Sequence, residues 1–254
     1  MDQAESVRYF FEIAYRGTKY HGWQRQKNAH TVQEEVENAL VKLWPEAGAV
    51  VGSGRTDTGV HCEQQYFHLD LPGIKNLQKA AYRLNRILPN DIAIREIRSV
   101  REDAHARFSA VSRSYLYRIS RNKNVFADGL TYRYERPLDL EIMNKGAEIL
   151  KTFEDFQAFS KVNTDVNHFL CNILGASWEE TGEEYHFRIT ANRFLRGMVR
   201  AIVGTLLLLG EGKINMSEFT EIIESRDRKQ AGAAAPPEGL YLVAVEYPEE
   251  IYLN

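Results

Sequence analysis

The sequence predicts an α+β protein of two βαββαβ halves, with antiparallel sheets and helices on one sheet face. Three observations predict it: short segments alternating with period two, apolar stripes of period 3.6 between them, and one order of elements met twice along 254 residues. Val7 to Tyr15 alternates, with Val7, Tyr9, Phe11, Ile13 and Tyr15 on one face and Arg8, Phe10, Glu12 and Ala14 on the other, as a strand requires. Thr31 opens a helix, with Glu34 placed for a capping box; Val32, Val36, Ala39, Leu40 and Leu43 share a face until Pro45 stops the run. Strand-like segments follow over Ala49–Gly54 and Cys62–Leu69. Leu77, Ala80, Ala81, Leu84 and Leu88 form the stripe of a helix over Asn76–Leu88, and Ile92–Val100 is a further strand.

The order then recurs: a strand over Arg113–Arg121, a helix over Asp139–Lys151, strands over Cys171–Glu180 and Tyr185–Ala191, an apolar helix over Phe194–Leu209, and a last strand over Leu240–Tyr247. An inserted helix over Ser217–Arg228 precedes that strand. The duplication is one of element order, with no residue-level repeat behind it. It divides the chain at residues 1–103 and 104–254, and without a Pro- or Gly-rich linker over Val100–Ala110 the halves are expected to share one body.

Composition sets further bounds. With 44% hydrophobic and 26% charged residues and a net charge of -3, the chain has the make-up of a soluble globular protein long enough to bury real cores. Its two cysteines, Cys62 and Cys171, stand in no CxxC and near no histidine cluster, which excludes a disulfide framework and a zinc ribbon and fits a reducing cytoplasm. The first residues, Met1 to Ser6, lack a leader pattern. The longest apolar stretch, Ala201–Leu209, is about half a membrane span, so no membrane partner is expected.

Charge is uneven. Arg16 to Lys27 carries Arg16, Lys19, Arg25 and Lys27 among Tyr20, His21 and Trp23. Ala106 to Lys123 carries Arg107, Arg113, Arg118, Arg121 and Lys123 among Phe108, Tyr115 and Tyr117. Neither run contains an acid, and Arg193, Arg196 and Arg200 form a third cluster. Cations interleaved with rings suit a phosphate backbone and unstacked bases, so the three together favour RNA over an ordinary solvated face.

The segment Gly52-Ser53-Gly54-Arg55-Thr56-Asp57-Thr58-Gly59-Val60-His61 sets one cation and one anion among small residues. Arg55 and Asp57 are two apart, so an extended loop points them the same way; a carboxylate is ionised at neutral pH, and a guanidinium nearby favours that form. A P-loop would need Lys-Ser or Lys-Thr where Val60-His61 stands. An aspartic protease would need a second Asp-Thr/Ser-Gly, which the chain lacks. Two readings remain: Asp57 caps a helix or turn, or it is a nucleophile toward a base or a sugar carbon, with no metal or organic cofactor. His21, His61 and His68 have no helical ligand spacing and read as structural or RNA-facing.

Gly54-Arg55-Thr56-Asp57-Thr58-Gly59-Val60-His61 resembles the signature of the tRNA pseudouridine synthase A, or TruA, family. Four more segments resemble family motifs in family order: Tyr20-His21-Gly22-Trp23-Gln24-Arg25-Gln26, Phe108-Ser109-Ala110 to Tyr115-Leu116-Tyr117, Met198-Val199-Arg200 with Ile202-Val203-Gly204, and Glu238-Gly239-Leu240-Tyr241-Leu242-Val243-Ala244-Val245. The resemblance implies two RRM-like, ferredoxin-like halves around a central RNA-binding cleft. It implies a cofactor-independent isomerase that turns uridine into pseudouridine in the anticodon stem-loop of tRNAs, at tRNA positions 38, 39 and 40, and works as a homodimer. By the same resemblance Asp57 is the nucleophile, toward either C6 of the base or the sugar carbon. Arg200 is its cationic partner, Tyr115 stacks on the target base, Leu240 is an apolar pocket residue, and Arg55 helps replace the extruded uridine in the stem, offsetting part of the few kcal/mol that flipping costs. Arg200 stands amid Met198, Val199, Ile202 and Val203, where an unpaired charge would be expensive. The chain departs from the family where Asn192 to Gly197 lacks histidines common there, where Thr58 replaces a common alanine, and where Asn163 to Leu170 lacks a basic motif.

Overall fold

The structure, a computed structural model, describes residues 6–162 and 166–253. Residues 1–5, to which the expectation of no leader applies, and 163–165, the start of the segment lacking the family's basic motif, lie outside the described residues. In chain order the strands are β1 (Ser6–Tyr15), β2 (Val51–Gly52), β3 (His61–Pro72), β4 (Ile92–Ser99), β5 (Ser112–Ser120), β6 (Tyr132–Arg133), β7 (Ile173–Thr181), β8 (Glu184–Ala191) and β9 (Leu240–Glu246). The helices are α1 (Val32–Leu43), α2 (Leu77–Asn85), α3 (Leu140–Leu150), α4 (Met198–Gly210) and α5 (Met216–Ser225). This is an α+β protein with mostly antiparallel strand pairs; β5 with β6 is parallel. It packs as two compact units, the described parts of Met1–Val111 with Leu242–Asn254, and Ser112–Tyr241.

In the first unit β1 lies between β4 and β3, β2 pairs with β3, and β9 is the next neighbour of β3. The alternation read in β1 decides its packing: Tyr9, Phe11, Ile13 and Tyr15 are all buried, and Phe11 stacks on its register partner Phe67 with ring centroids 4.8 Å apart. Phe10 points to the other face and is equally dry, at 1% exposure, because His68, Tyr66, Tyr247 and Tyr252 wall it in. Thr31 caps α1 by accepting the Glu34 N–H (3.4 Å), while the Glu34 carboxylate turns to Arg25 (3.8 Å). Asn76 caps α2 by accepting the Lys79 N–H at 2.7 Å, and Ala80, Ala81 and Leu84 are its buried face.

The last strand does not simply close the second half, as element order suggested. From Leu242 it packs with the first unit: Val245 N–H donates to Gln64 Oε1 (3.2 Å), the Tyr247 hydroxyl donates to the Ala106 carbonyl (2.6 Å), and the Tyr247 ring meets Phe10 and Tyr66 at 5.1 and 5.2 Å. Which strand a returning strand pairs with is a long-range choice that local pattern does not encode.

In the second unit β8 lies between β5 and β7. Tyr117 and Trp178 are both registered on Phe187, and all three are buried. The apolar helix α4 begins at Met198 instead of Phe194, because Gly197 takes φ 72° and the Leu195 carbonyl accepts the Met198 N–H. Helix α5 ends at Ser225, where Arg226 turns to φ 55°.

Candidate active site

Residues 53–60 join β2 to β3, and no helix starts among them. Of the two readings of Asp57, the helix cap therefore falls away; a turn at 58–59 remains, with the Val60 N–H donating to the Asp57 carbonyl at 3.2 Å. Thr56 is buried between exposed Arg55 and half-buried Asp57.

The loop is gripped from two directions. From within, the Tyr15 hydroxyl at the end of β1 is bonded to Thr56 Oγ1 (2.9 Å) and donates to the fully buried Gln65 Oε1 (3.2 Å). From without, the first loop motif lies across it: Trp23 N–H donates to the Thr56 carbonyl (3.4 Å) and Gly59 N–H to the Tyr20 carbonyl (3.2 Å). The approach is so close that a Cβ at Gly22, whose φ is +86°, would sit 2.3 Å from the Thr56 carbonyl oxygen. The first loop is itself anchored by the Tyr20 hydroxyl, which donates to Asp91 at 2.6 Å; burial, with that carboxylate, pushes the phenol up. Two segments distant in sequence thus together hold the loop that carries Asp57.

The neighbouring groups have other work. His61 Nδ1 accepts the Gly17 N–H (3.1 Å), His68 Nδ1 accepts the Ala106 N–H (3.1 Å), and His21 is exposed. Among the described residues no group of three or more His, Cys, Asp or Glu is arranged to hold a metal ion. Burial pushes the Cys62 thiol well up, away from a reactive thiolate.

In the second unit Tyr115 on β5 is half-buried, with Phe194 edge-on at 5.0 Å. Arg113, Tyr115 and Tyr117 share a face of the strand; Arg113 Nη1 donates to the Asn192 carbonyl (2.9 Å) and the Tyr117 hydroxyl to the Pro236 carbonyl (2.7 Å). One residue earlier, the Ala235 carbonyl accepts Arg200 Nε at 2.6 Å and the Ala235 N–H returns to the Arg200 carbonyl at 2.9 Å. Burial pushes the Tyr117 phenol up, and the Arg200 charge opposes that rise. The segment before β9 therefore brings Arg200 of α4 beside the strand that carries Tyr115. Leu240, next along, is buried at 6% exposure.

Several cations of the basic runs are ion-paired. Lys19 pairs with Asp91 (3.7 Å), Arg25 with Glu37 (2.8 Å), Arg118 with Glu184 (2.9 Å) and Arg121 with Glu180 (2.8 Å). These four cations each have a carboxylate opposite them on the surface. Sequence reasoning also passed over Tyr15, Gln65 and Ala235. Thr56 lay inside the motif, but nothing local marks its partner Tyr15, and an alanine whose carbonyl holds an arginine has no sequence signal.

The chain belongs to the tRNA pseudouridine synthase family, whose model matches residues 13–109 and 153–248. Within that family its relatives are proteins named tRNA pseudouridine synthase A. The one from Porphyromonas gingivalis is 47% identical over 252 residues, covering 97% of this chain and 100% of the relative. That from Bacteroides fragilis is 46% identical over 247 residues, covering 96% and 98%. That from Acetivibrio thermocellus is 42% identical over 241 residues, covering 92% and 97%. Arg55 and Asp57 fall in the first matched segment, Arg200 and Leu240 in the second, and Tyr115 between the two.

Proposed function

We propose that this chain isomerises uridine to pseudouridine in the anticodon arm of tRNA, with Asp57 as the nucleophile and no cofactor. It is an isomerase acting on tRNA, as its family membership and full-length relatives indicate. The reaction breaks the bond from N1 to C1′ and makes one from C5 to C1′; N1 gains a proton, C5 loses one, and the product has the mass of the substrate. Asp57 attacks C6 or C1′ and leaves again. Arg200 is assigned as its cationic partner, Tyr115 as the ring that stacks on the turning base, Leu240 as an apolar wall, and Arg55 as the group that fills the place of the extruded uridine. Uridines at tRNA positions 38 to 40, RRM-like halves with an RNA-binding cleft, a homodimer and a cytoplasmic setting belong to the same proposal.

The observation that carries it is the grip on residues 53–60. A carboxylate on a loop held by Tyr15 behind and Gly22-Trp23 in front is positioned in advance, which is what nucleophilic attack on a flipped base needs. The test uses tRNA tritiated at C5 of uridine, since that hydrogen is lost to water when C5 bonds to the sugar. The wild type is expected to release tritium and Asp57→Asn none, with tRNA binding within about twofold. Release by Asp57→Asn overturns the nucleophile; binding without release by the wild type overturns the isomerase in favour of an RNA-binding module.

A further inference from the structure

Helix α2 is a basic element that the site does not absorb. From Leu71 to Asn90 the chain contains Lys75, Lys79, Arg83 and Arg86 and no acid, in a protein whose net charge is -3. At 100° per residue, Lys79, Arg83 and Arg86 fall within about 60° of one another, and Tyr82 adjoins them. All five side chains are exposed, Tyr82 at 65%. Among the described residues none of the four cations has an ion-pair partner. A solvated helix face commonly has acids three or four residues from its cations, and α2 has none. The acids that bracket it are occupied: Asp70 by Arg8 at 2.7 Å, and Asp91 by Tyr20 and Lys19. Those of α1 are occupied as well, Glu34 and Glu37 by Arg25 and Glu35 by His30.

The direction of the stripe matters. Helix α2 runs back along the sheet from the end of β3, and its last residue, Asn85, is bonded to Ile94 twice at 2.7 Å. Ile94 is registered on Ile13, and the Arg16 N–H donates to the Asp91 carbonyl. The Arg86 end thus reaches the sheet end where Tyr15 and the first loop clasp the Asp57 loop; exposed Arg16 follows Tyr15 there, and exposed Arg55 lies in the Asp57 loop.

We propose that the α2 face formed by Lys79, Tyr82, Arg83 and Arg86 is a docking surface for the sugar-phosphate backbone of tRNA outside the anticodon arm. From Lys79 to Arg86 the helix spans about 10 Å, the axial length that carries about three phosphates of one strand. The cations neutralise backbone charge without reading sequence, and Tyr82 offers a ring to a sugar or an unstacked base. This rests on the tRNA reading above.

The test compares full-length tRNA with the isolated anticodon stem-loop as substrates for the wild type and for the triple variant Lys79→Gln, Arg83→Gln, Arg86→Gln. Glutamine preserves helix propensity, and the variant's thermal midpoint checks that it folds. For full-length tRNA the variant's KM is expected to rise at least about tenfold near 100 mM salt with kcat unchanged, and the salt slope of binding to shrink by about two to three. For the stem-loop KM stays as it was. An unchanged KM and slope on full-length tRNA overturns the proposal, as does an equal rise on both substrates, which would put the stripe on the arm itself. A change in self-association with tRNA kinetics intact overturns it in favour of a second copy as the partner. Failure of the tRNA reading is distinct, since the wild type would then isomerise neither substrate.

Discussion

His68 shows how one side chain sets a pH range for the first unit. It is buried at 5% exposure against Phe10 and His105, with Nδ1 accepting the Ala106 N–H, so the fold uses its neutral form. Burial, helped by His105 and Arg8, lowers it from 6.5 to about 4. The unfolded chain takes up the proton first. Stability present above pH 6.5 is therefore lost as the pH falls toward about 4 and falls no further through this group below that. The loss is on the order of 3 kcal/mol. His68→Asn places a carbonyl oxygen where Nδ1 accepts, without a titrating ring. Denaturant midpoints at pH 7 and pH 4.5 are expected to differ by markedly less in the variant than in the wild type, and an equal difference would assign the proton uptake elsewhere. Single residues divide sharply in what the sequence discloses. Asp57, Arg55, Tyr115, Arg200 and Leu240 lie in motifs and were singled out by resemblance. Their supports, Tyr15 under Thr56 and Ala235 under Arg200, are joined to them only by folding, across 41 and 35 residues, so no spacing rule finds them.

Elements were legible wherever one periodicity ran uninterrupted. The strand at Val7–Tyr15 came out within a residue because its alternation is unbroken, and the helix opened by Thr31 because it has both a stripe and a cap; the helix over Asp139–Lys151 also came out within a residue. Boundaries differ at Gly197 before α4 and at Arg226 after α5, where backbone geometry overrides the stripe, and at β2, which has two residues of the six read as strand-like over Ala49–Gly54. What no periodicity reveals is how tightly α4 is joined to the irregular segment 231–236. A Cβ at Gly204 would fall 1.8 Å from the Ala233 carbonyl oxygen, and the Gly232 N–H donates to Thr205 Oγ1 at 2.9 Å, so this segment lies directly on the helix. It is the segment whose Ala235 holds Arg200. Gly204→Ala is expected to lift it, lowering kcat at least about tenfold while destabilising the protein by about 1 to 3 kcal/mol. Single-turnover kinetics beside urea unfolding check this, and a destabilised variant with full kcat would separate the segment from catalysis.

At the scale of the whole molecule, the chain's last residues belong to the unit that its first residues begin. Leu242, Val245 and Ile251 are buried there, the Leu253 N–H donates to the Ser99 carbonyl (3.0 Å), and Arg98 lies 3.6 Å over the Tyr252 ring. Tyr247 and Tyr252 also close the far face of β1 over Phe10. Each buried apolar side chain is worth about 1.5 to 3 kcal/mol, so removing this segment costs several kcal/mol, comparable with the marginal stability of a domain. Ending the chain after Tyr241 deletes nothing of the second unit beyond its border, yet it uncovers the strand that ends at Tyr15 and supports Thr56. Hydrogen exchange on the truncated protein is expected to find protection lost at Tyr9–Ile13 and Tyr66–Leu69 and kept at Phe187–Ile189 of β8, which keeps both of its partner strands, with tritium release abolished. Loss spread evenly over both sets of amides, or confined to the second, would mean that the C-terminal strand stabilises the molecule as one cooperative body or holds the other unit together.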